Sequence, residues 1–209
     1  MRALKFLARG AVAPFMGVRW PAPAGGLPGA WVEAASTEPG RGVHACRVED
    51  LAYWLNDELW EVELDGEVVA GPTLLEARRG RLVRRVEAWS KAAALAYAAA
   101  CTERTRERSA SVLDAAGLPA AAGCLRAARD NTSMEALPSI AEVAAASRAA
   151  ELASYLADAA LRVRTGRAMS ATFVNAVAAA ALDLRPEAFD EERRTQSLLL
   201  GRQLGLSGL

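Results

Sequence analysis

The chain has 209 residues, with 25 Lys/Arg balanced by 25 Asp/Glu, a single histidine and 52% hydrophobic residues. That length can bury a real core, and zero net charge with no strongly basic half argues against general nucleic-acid binding, which depends on neutralising phosphates. Three widely spaced cysteines (Cys46, Cys101, Cys124), with no CxxC pair, argue against a disulfide framework or a structural zinc site and fit a reducing cytoplasm; no metal or cofactor is expected.

Composition divides the chain. All five tryptophans and six of the nine prolines lie at or before residue 89, and alanine, leucine and arginine dominate beyond it. We expect an α+β protein: a small mixed β-sheet domain over 1–89, then an all-α antiparallel bundle over 90–209. The N-terminal apolar run 10–18 contains Pro14 and lies between Arg9 and Arg19, too short and broken for a signal peptide. Charges interrupt the later alanine-rich stretches, so the expectation is a soluble cytoplasmic protein with no membrane partner.

In chain order, RALKFL over 2–7 predicts a first strand, and a Gly, Pro and Trp-rich run to about Gly29 predicts a long loop of the kind that lines binding sites. Short strands are expected over 30–35 and 42–46, with a turn over 36–41 between them. Period-two geometry places His44 and Cys46 on one face of the second of these, Val43 and Ala45 on the other. Glu49 and Asp50 suit a helix N-terminus, predicting a short helix over 51–56 that carries Tyr53 and Trp54. In LWEVELDGEVV, apolar and acidic residues alternate from Trp60 to Asp65, and Asp65-Gly66 predicts a type I′ hairpin turn. Two further strands are expected over 73–78 and 81–89.

Helical pattern takes over at Ser90. Helices are predicted over about 90–115, 120–129, 168–182 and from Pro186 to Gly205. Ser139 and Glu142 have capping-box spacing, predicting another helix there with an apolar stripe through Ile140, Val143, Leu152, Leu156 and Val163. Alanine favours helix and permits close helix approach, which fits a bundle able to support self-association.

Gly42-Val43-His44-Ala45-Cys46, followed by Val62, Glu63 and Gly66, carries a resemblance. Residues 1 to about 89 resemble uncharacterised domains of phage and bacterial proteins, often found beside pentapeptide repeats, with a Gly-x-His-Ala-Cys motif. That resemblance implies no named activity. The order strand, polar motif, helix, strand is loosely similar to the split sheet of ADP-ribosyltransferases, without their full signature, and the helical half is similar in composition to small immunity-type bundles.

The residues support two readings. In the first, a small bacterial enzyme of specialised metabolism binds a small molecule between the two domains. His44 would be its acid or base, or Cys46 and His44 a nucleophilic pair, with Asp50, Glu61 or Glu63 orienting the ring. Trp20, Tyr53, Trp54 and Trp60 would wall the pocket, and Arg81 or Arg85 would meet a phosphate or carboxylate. Arg81 and Arg85 are expected to share a strand face opposite Arg84. In the second reading the protein is a non-catalytic immunity or regulatory protein whose bundle is the partner surface, and the His-Ala-Cys motif serves only the fold.

Overall fold

The computed structural model describes residues 1–34, 40–128, 147–163 and 168–206. The chain is α+β. Five strands form one antiparallel sheet: β1 (Arg2–Leu7), β2 (Val32–Glu33), β3 (Val43–Ala45), β4 (Glu58–Ala70) and β5 (Leu75–Arg85). A 3₁₀ turn, Val48–Asp50, leads into α1 (Leu51–Trp54), and the described residues contain five further helices: α2 (Lys91–Ala115), α3 (Pro119–Ala127), α4 (Arg148–Val163), α5 (Ala168–Asp183) and α6 (Glu187–Gln203). Contacts divide the chain into two units, Met1–Ala93 with Arg194–Leu209, and Ala94–Arg193.

In the first unit, β1 pairs with β4, β4 with β5, and the far edge of β5 takes β3 and β2. One further bridge joins Cys46, just past β3, to Leu4 of β1, so the hydrogen-bonded path β1–β4–β5–β3 returns to its start. Alternation gives the sheet a packed face: Ala3, Leu7, Val43, Ala45, Trp60, Val62, Leu64, Leu75, Ala77 and Leu82 form one buried cluster with Ala11 and Trp20 of the loop. The end of α6 also packs within this unit: the Ala52 amide donates to Ser197 Oγ at 2.9 Å, and Gly201 lies against Val48.

Two expectations about the sheet are corrected. Asp65-Gly66 is not the hairpin turn; β4 runs through it to Ala70, with a register shift between Asp65 and Val68. Gly66 does have positive φ (86°), but it uses that freedom for a bulge, while the reversal occurs later, where the Gly71 amide donates to the Leu74 carbonyl at 2.8 Å. The two strands expected over 73–78 and 81–89 are a single strand, β5, with Gly80 inside it. A second shift, between Glu61 and Val62, changes the arginine pattern: Arg81 pairs with Glu63, Arg84 with Glu61, and Arg85 lies opposite Trp60. Arg81 therefore shares its face with Arg84, and Arg85 turns toward Glu58 at 3.7 Å.

Among the described residues the expected strand over 30–35 is Val32–Glu33, and α1 is shorter than expected, ending at Trp54. In the second unit, α2, α3 and α5, together with α6, which is divided between the two units, occupy the predicted positions to within a few residues. The capping box, Ile140 and Val143, and most of the turn over 36–41, lie outside the described residues; α4 is described from Arg148, with Leu156 buried. Much of this unit's core is alanine: Ala110, Ala121, Ala122, Ala150, Ala153 and Ala157 pack with Leu113 and Leu125. Several buried polar groups find partners nearby. Arg104 forms a bidentate pair with buried Glu192 (2.8 and 2.9 Å), and Arg193 donates to Thr172 Oγ1 at 2.9 Å.

Candidate functional site

β3 pairing fixes the surroundings of His44. The register sets it opposite Glu76 of β5, with its Nε2 3.9 Å from Glu76 Oε1. Glu76 accepts the Gly40 amide at 3.0 Å and the Gly42 amide at 2.6 Å, which, with nearby His44, hold its carboxyl below the usual range despite partial desolvation. Gly42 has no room for a side chain: a Cβ there would collide with Glu76 and lie 2.9 Å from the Ala77 carbonyl. His44 Nε2 is itself buried and, among the described residues, has no hydrogen-bond partner.

Cys46 occupies different ground. Its main chain exchanges hydrogen bonds with Leu4 (2.9 and 2.7 Å), and its side chain is buried. Burial, reinforced by the Asp50 charge, pushes its thiol up to about 12, so it stays protonated at neutral pH. Asp50 is engaged by Arg47 Nε at 2.6 Å. Glu61 and Glu63 are paired with Arg84 and Arg81, and the acid beside the imidazole is Glu76. Of the aromatic candidates, Trp54 donates to the Thr73 carbonyl at 2.6 Å and Tyr53 is half-buried on α1. Arg81 also stacks on Trp31, 4.4 Å from its ring centroid, beside Arg79 at 4.8 Å.

A cavity of this unit lies elsewhere. A cleft of about 520 Å³ is lined by Gly10, Ala11, Arg19, Trp20, Pro21, Ala22, Glu58 and Trp60. The loop is shaped by short bridges, Ala8 to Val12 and Val12 to Arg19, and by the Trp20 amide donating to the Ala11 carbonyl at 2.8 Å. Glu58 ties this loop to β4: it accepts the Gly10 and Ala11 amides, each at 3.0 Å, and the Trp60 indole N–H at 3.1 Å. Burial raises the Glu58 carboxyl, but those donors and nearby Arg85 outweigh burial and leave it below its usual range.

Of the residues singled out in the sequence, Trp20 and Trp60 meet in this cleft; His44, Cys46, Tyr53, Trp54, Arg81 and Arg85 do not line it. Lys5 connects the two regions. Its ammonium donates to the His44 carbonyl and sits 4.9 Å from the Trp20 ring centroid, and burial lowers it to about 8 against an opposing pull from Cys46. Sequence reading passed over Arg19, Glu58 and Glu76. The available signals were an acid two residues before Trp60 on the core-facing side of an alternating strand, and a lone cation beside Trp20 in an almost uncharged loop.

Among the described residues, no group of three His, Cys, Asp or Glu side chains is placed to hold a metal ion, and no helix is long and apolar enough to cross a membrane. No protein-family model, curated protein or solved structure matches this chain.

Proposed function

We propose that the first unit is a binding module that holds a small molecule in the cleft lined by Trp20 and Trp60. The cleft carries this reading: its volume falls within the roughly 300–1,000 Å³ of ordinary ligand sites, and two indoles buried to 4% and 8% exposure line it beside a carboxylate already committed to the fold. Ligands would meet apolar walls with few polar groups to desolvate. Native mass spectrometry of the purified protein and tryptophan fluorescence titration against small aromatic compounds test it. Ala22→Trp, at an exposed lining position, should fill the cleft and abolish binding while leaving the melting temperature in place. A wild-type protein that binds no member of the panel, or an Ala22→Trp variant that binds as well as wild type, counts against the module.

A second reading retains His-centred acid or base chemistry on a small molecule. It is supported by the His44 Nε2, which lies 3.9 Å from Glu76 and has no hydrogen-bond partner among the described residues. Cys46, protonated and buried, takes no nucleophilic part in it. Unchanged ligand binding and turnover in folded His44→Gln would end that reading.

The interaction reading draws on α5, where Met169, Phe173 and Val177 recur every fourth residue and are 46%, 53% and 39% exposed. We read the second unit as an antiparallel bundle with this stripe as a self-association face, in a cytoplasmic protein related to the Gly-x-His-Ala-Cys domains. Sedimentation of wild type and Phe173→Glu over a range of concentrations tests it; a monomer at every concentration would refute self-association.

A further inference from the structure

Resting on the binding-module reading, we infer that the cleft selects ligands bearing an anionic group, with Arg19 as the residue that determines the preference. Its backbone is fixed by the bridge to Val12. Its guanidinium lies along Gly10, 3.7 Å from where a Cβ of that residue would stand, an ordinary van der Waals separation that sets the guanidinium against the loop backbone. Arg19 is exposed and lines the cleft, and among the described residues no acid pairs with it.

Of the other charges, Glu58 alone opposes an anion, and its opposition is muted. Glu58, the acid of the cleft, has its oxygens occupied by two amides and an indole and has Arg85 at 3.7 Å. It therefore offers a ligand cation little beyond a partly neutralised charge. The Trp20 ring already carries the Lys5 ammonium at 4.9 Å, which opposes a second cation on that indole. From Met1 to Val32 the chain has Arg2, Lys5, Arg9 and Arg19 and no Asp or Glu. A planar apolar body carrying one carboxylate matches this arrangement: the body in the cleft against the indoles, and the acid on a guanidinium whose fork suits carboxylate geometry.

Matched probes test this directly. Indole-3-propionate and its neutral amide, and 3-phenylpropionate and its amide, are titrated by calorimetry into wild type, Arg19→Gln and Arg19→Lys, with melting curves confirming that each variant folds. Wild type should bind each acid about tenfold more tightly than its amide, as expected for one charge-assisted contact. Added salt should reduce that ratio. Arg19→Gln should bring the acid down to the affinity of the amide without weakening the amide, and Arg19→Lys should keep part of the preference. Equal binding of acid and amide by wild type, or an undiminished preference in Arg19→Gln, overturns the inference while leaving the binding module intact. Failure of all four probes to bind overturns both.

Discussion

Gly80 of β5 packs against Val43 of β3: a Cβ at Gly80 would stand 2.9 Å from Val43 Cγ1 and 3.2 Å from Leu64 Cδ2. Both neighbours belong to the buried cluster on the packed face, so neither can swing into solvent. Gly80→Ala should therefore destabilise the first unit, because overpacking costs about 1–3 kcal/mol and the gain from restricting the unfolded chain returns only about 0.4–1 kcal/mol. Gly80→Val should be worse. Denaturant midpoints check this, and a Gly80→Ala protein more stable than wild type would show that the strands can part there freely.

Glu58 gives a prediction with a definite pH sign. Its folded carboxyl lies below the ordinary range, so its stabilising contribution is fully present above the unfolded value, about 4.3 for glutamate, and is lost as pH falls through the lower folded value. Glu58→Gln keeps the shape but turns one acceptor into a donor facing amide and indole donors, which should cost about 1–3 kcal/mol at neutral pH. The gap in melting temperature between wild type and Glu58→Gln should shrink as pH drops below 4. A gap that is constant across this range would remove Glu58 as the anchor of the loop.

The sequence carries local information well and cross-chain information poorly, and Gly80 and Glu58 illustrate why. RALKFL is a short, largely apolar run stopped by Arg9-Gly10, so β1 was legible to the residue. Gly80 reads as punctuation when only neighbours in sequence are visible; its real role is close approach to β3, 37 positions away in the chain. Asp65-Gly66 has turn chemistry, yet Arg79 holds the Asp65 carboxylate through its Nε at 2.7 Å and the strand continues. The site follows the same rule. Motif proximity paired His44 with Cys46, whereas strand pairing supplied Glu76, and the cleft exists only because loop residues 10–22 fold over positions 58 and 60 of β4.

Along β4 and β5, the carboxylates of Asp65, Glu63 and Glu61 face Arg79, Arg81 and Arg84 in a ladder whose rungs are not equivalent. The Glu63 and Arg81 side chains are both about one-third exposed (31% and 30%), so water can replace either partner, and Arg81→Ala should cost at most about 1 kcal/mol. Glu61 is 7% exposed while its partner Arg84 is 69% exposed. Arg84→Ala would leave a buried carboxylate short of a donor and should cost about 1–3 kcal/mol. Parallel urea titrations of the two variants check the order, and Arg81→Ala proving the more damaging would invert the argument.

Thiol chemistry separates the three cysteines without any assumption about ligand. Cys46 and Cys101 are buried and Cys124 is exposed. Burial, with the Asp50 charge, raises the Cys46 thiol to about 12; burial likewise takes Cys101 to about 12, against a lowering hydrogen bond from Tyr97. Because only the thiolate attacks a disulfide reagent, an aromatic disulfide at pH 8 should modify one cysteine of the folded chain rapidly and all three after unfolding in urea. Cys124→Ser should abolish the rapid phase. Rapid modification of Cys46 in the folded Cys124→Ser protein would mean a reactive thiolate beside His44, and would restore the nucleophilic pair as a working hypothesis. The same raised values also predict loss of stability at alkaline pH: the protonated thiols favour the folded state fully below the unfolded value, about 8.5, and that advantage is lost as pH rises through the folded values near 12. Cys46→Ala should therefore show a shallower alkaline fall in melting temperature than wild type, and an unchanged fall would place the titration on other groups.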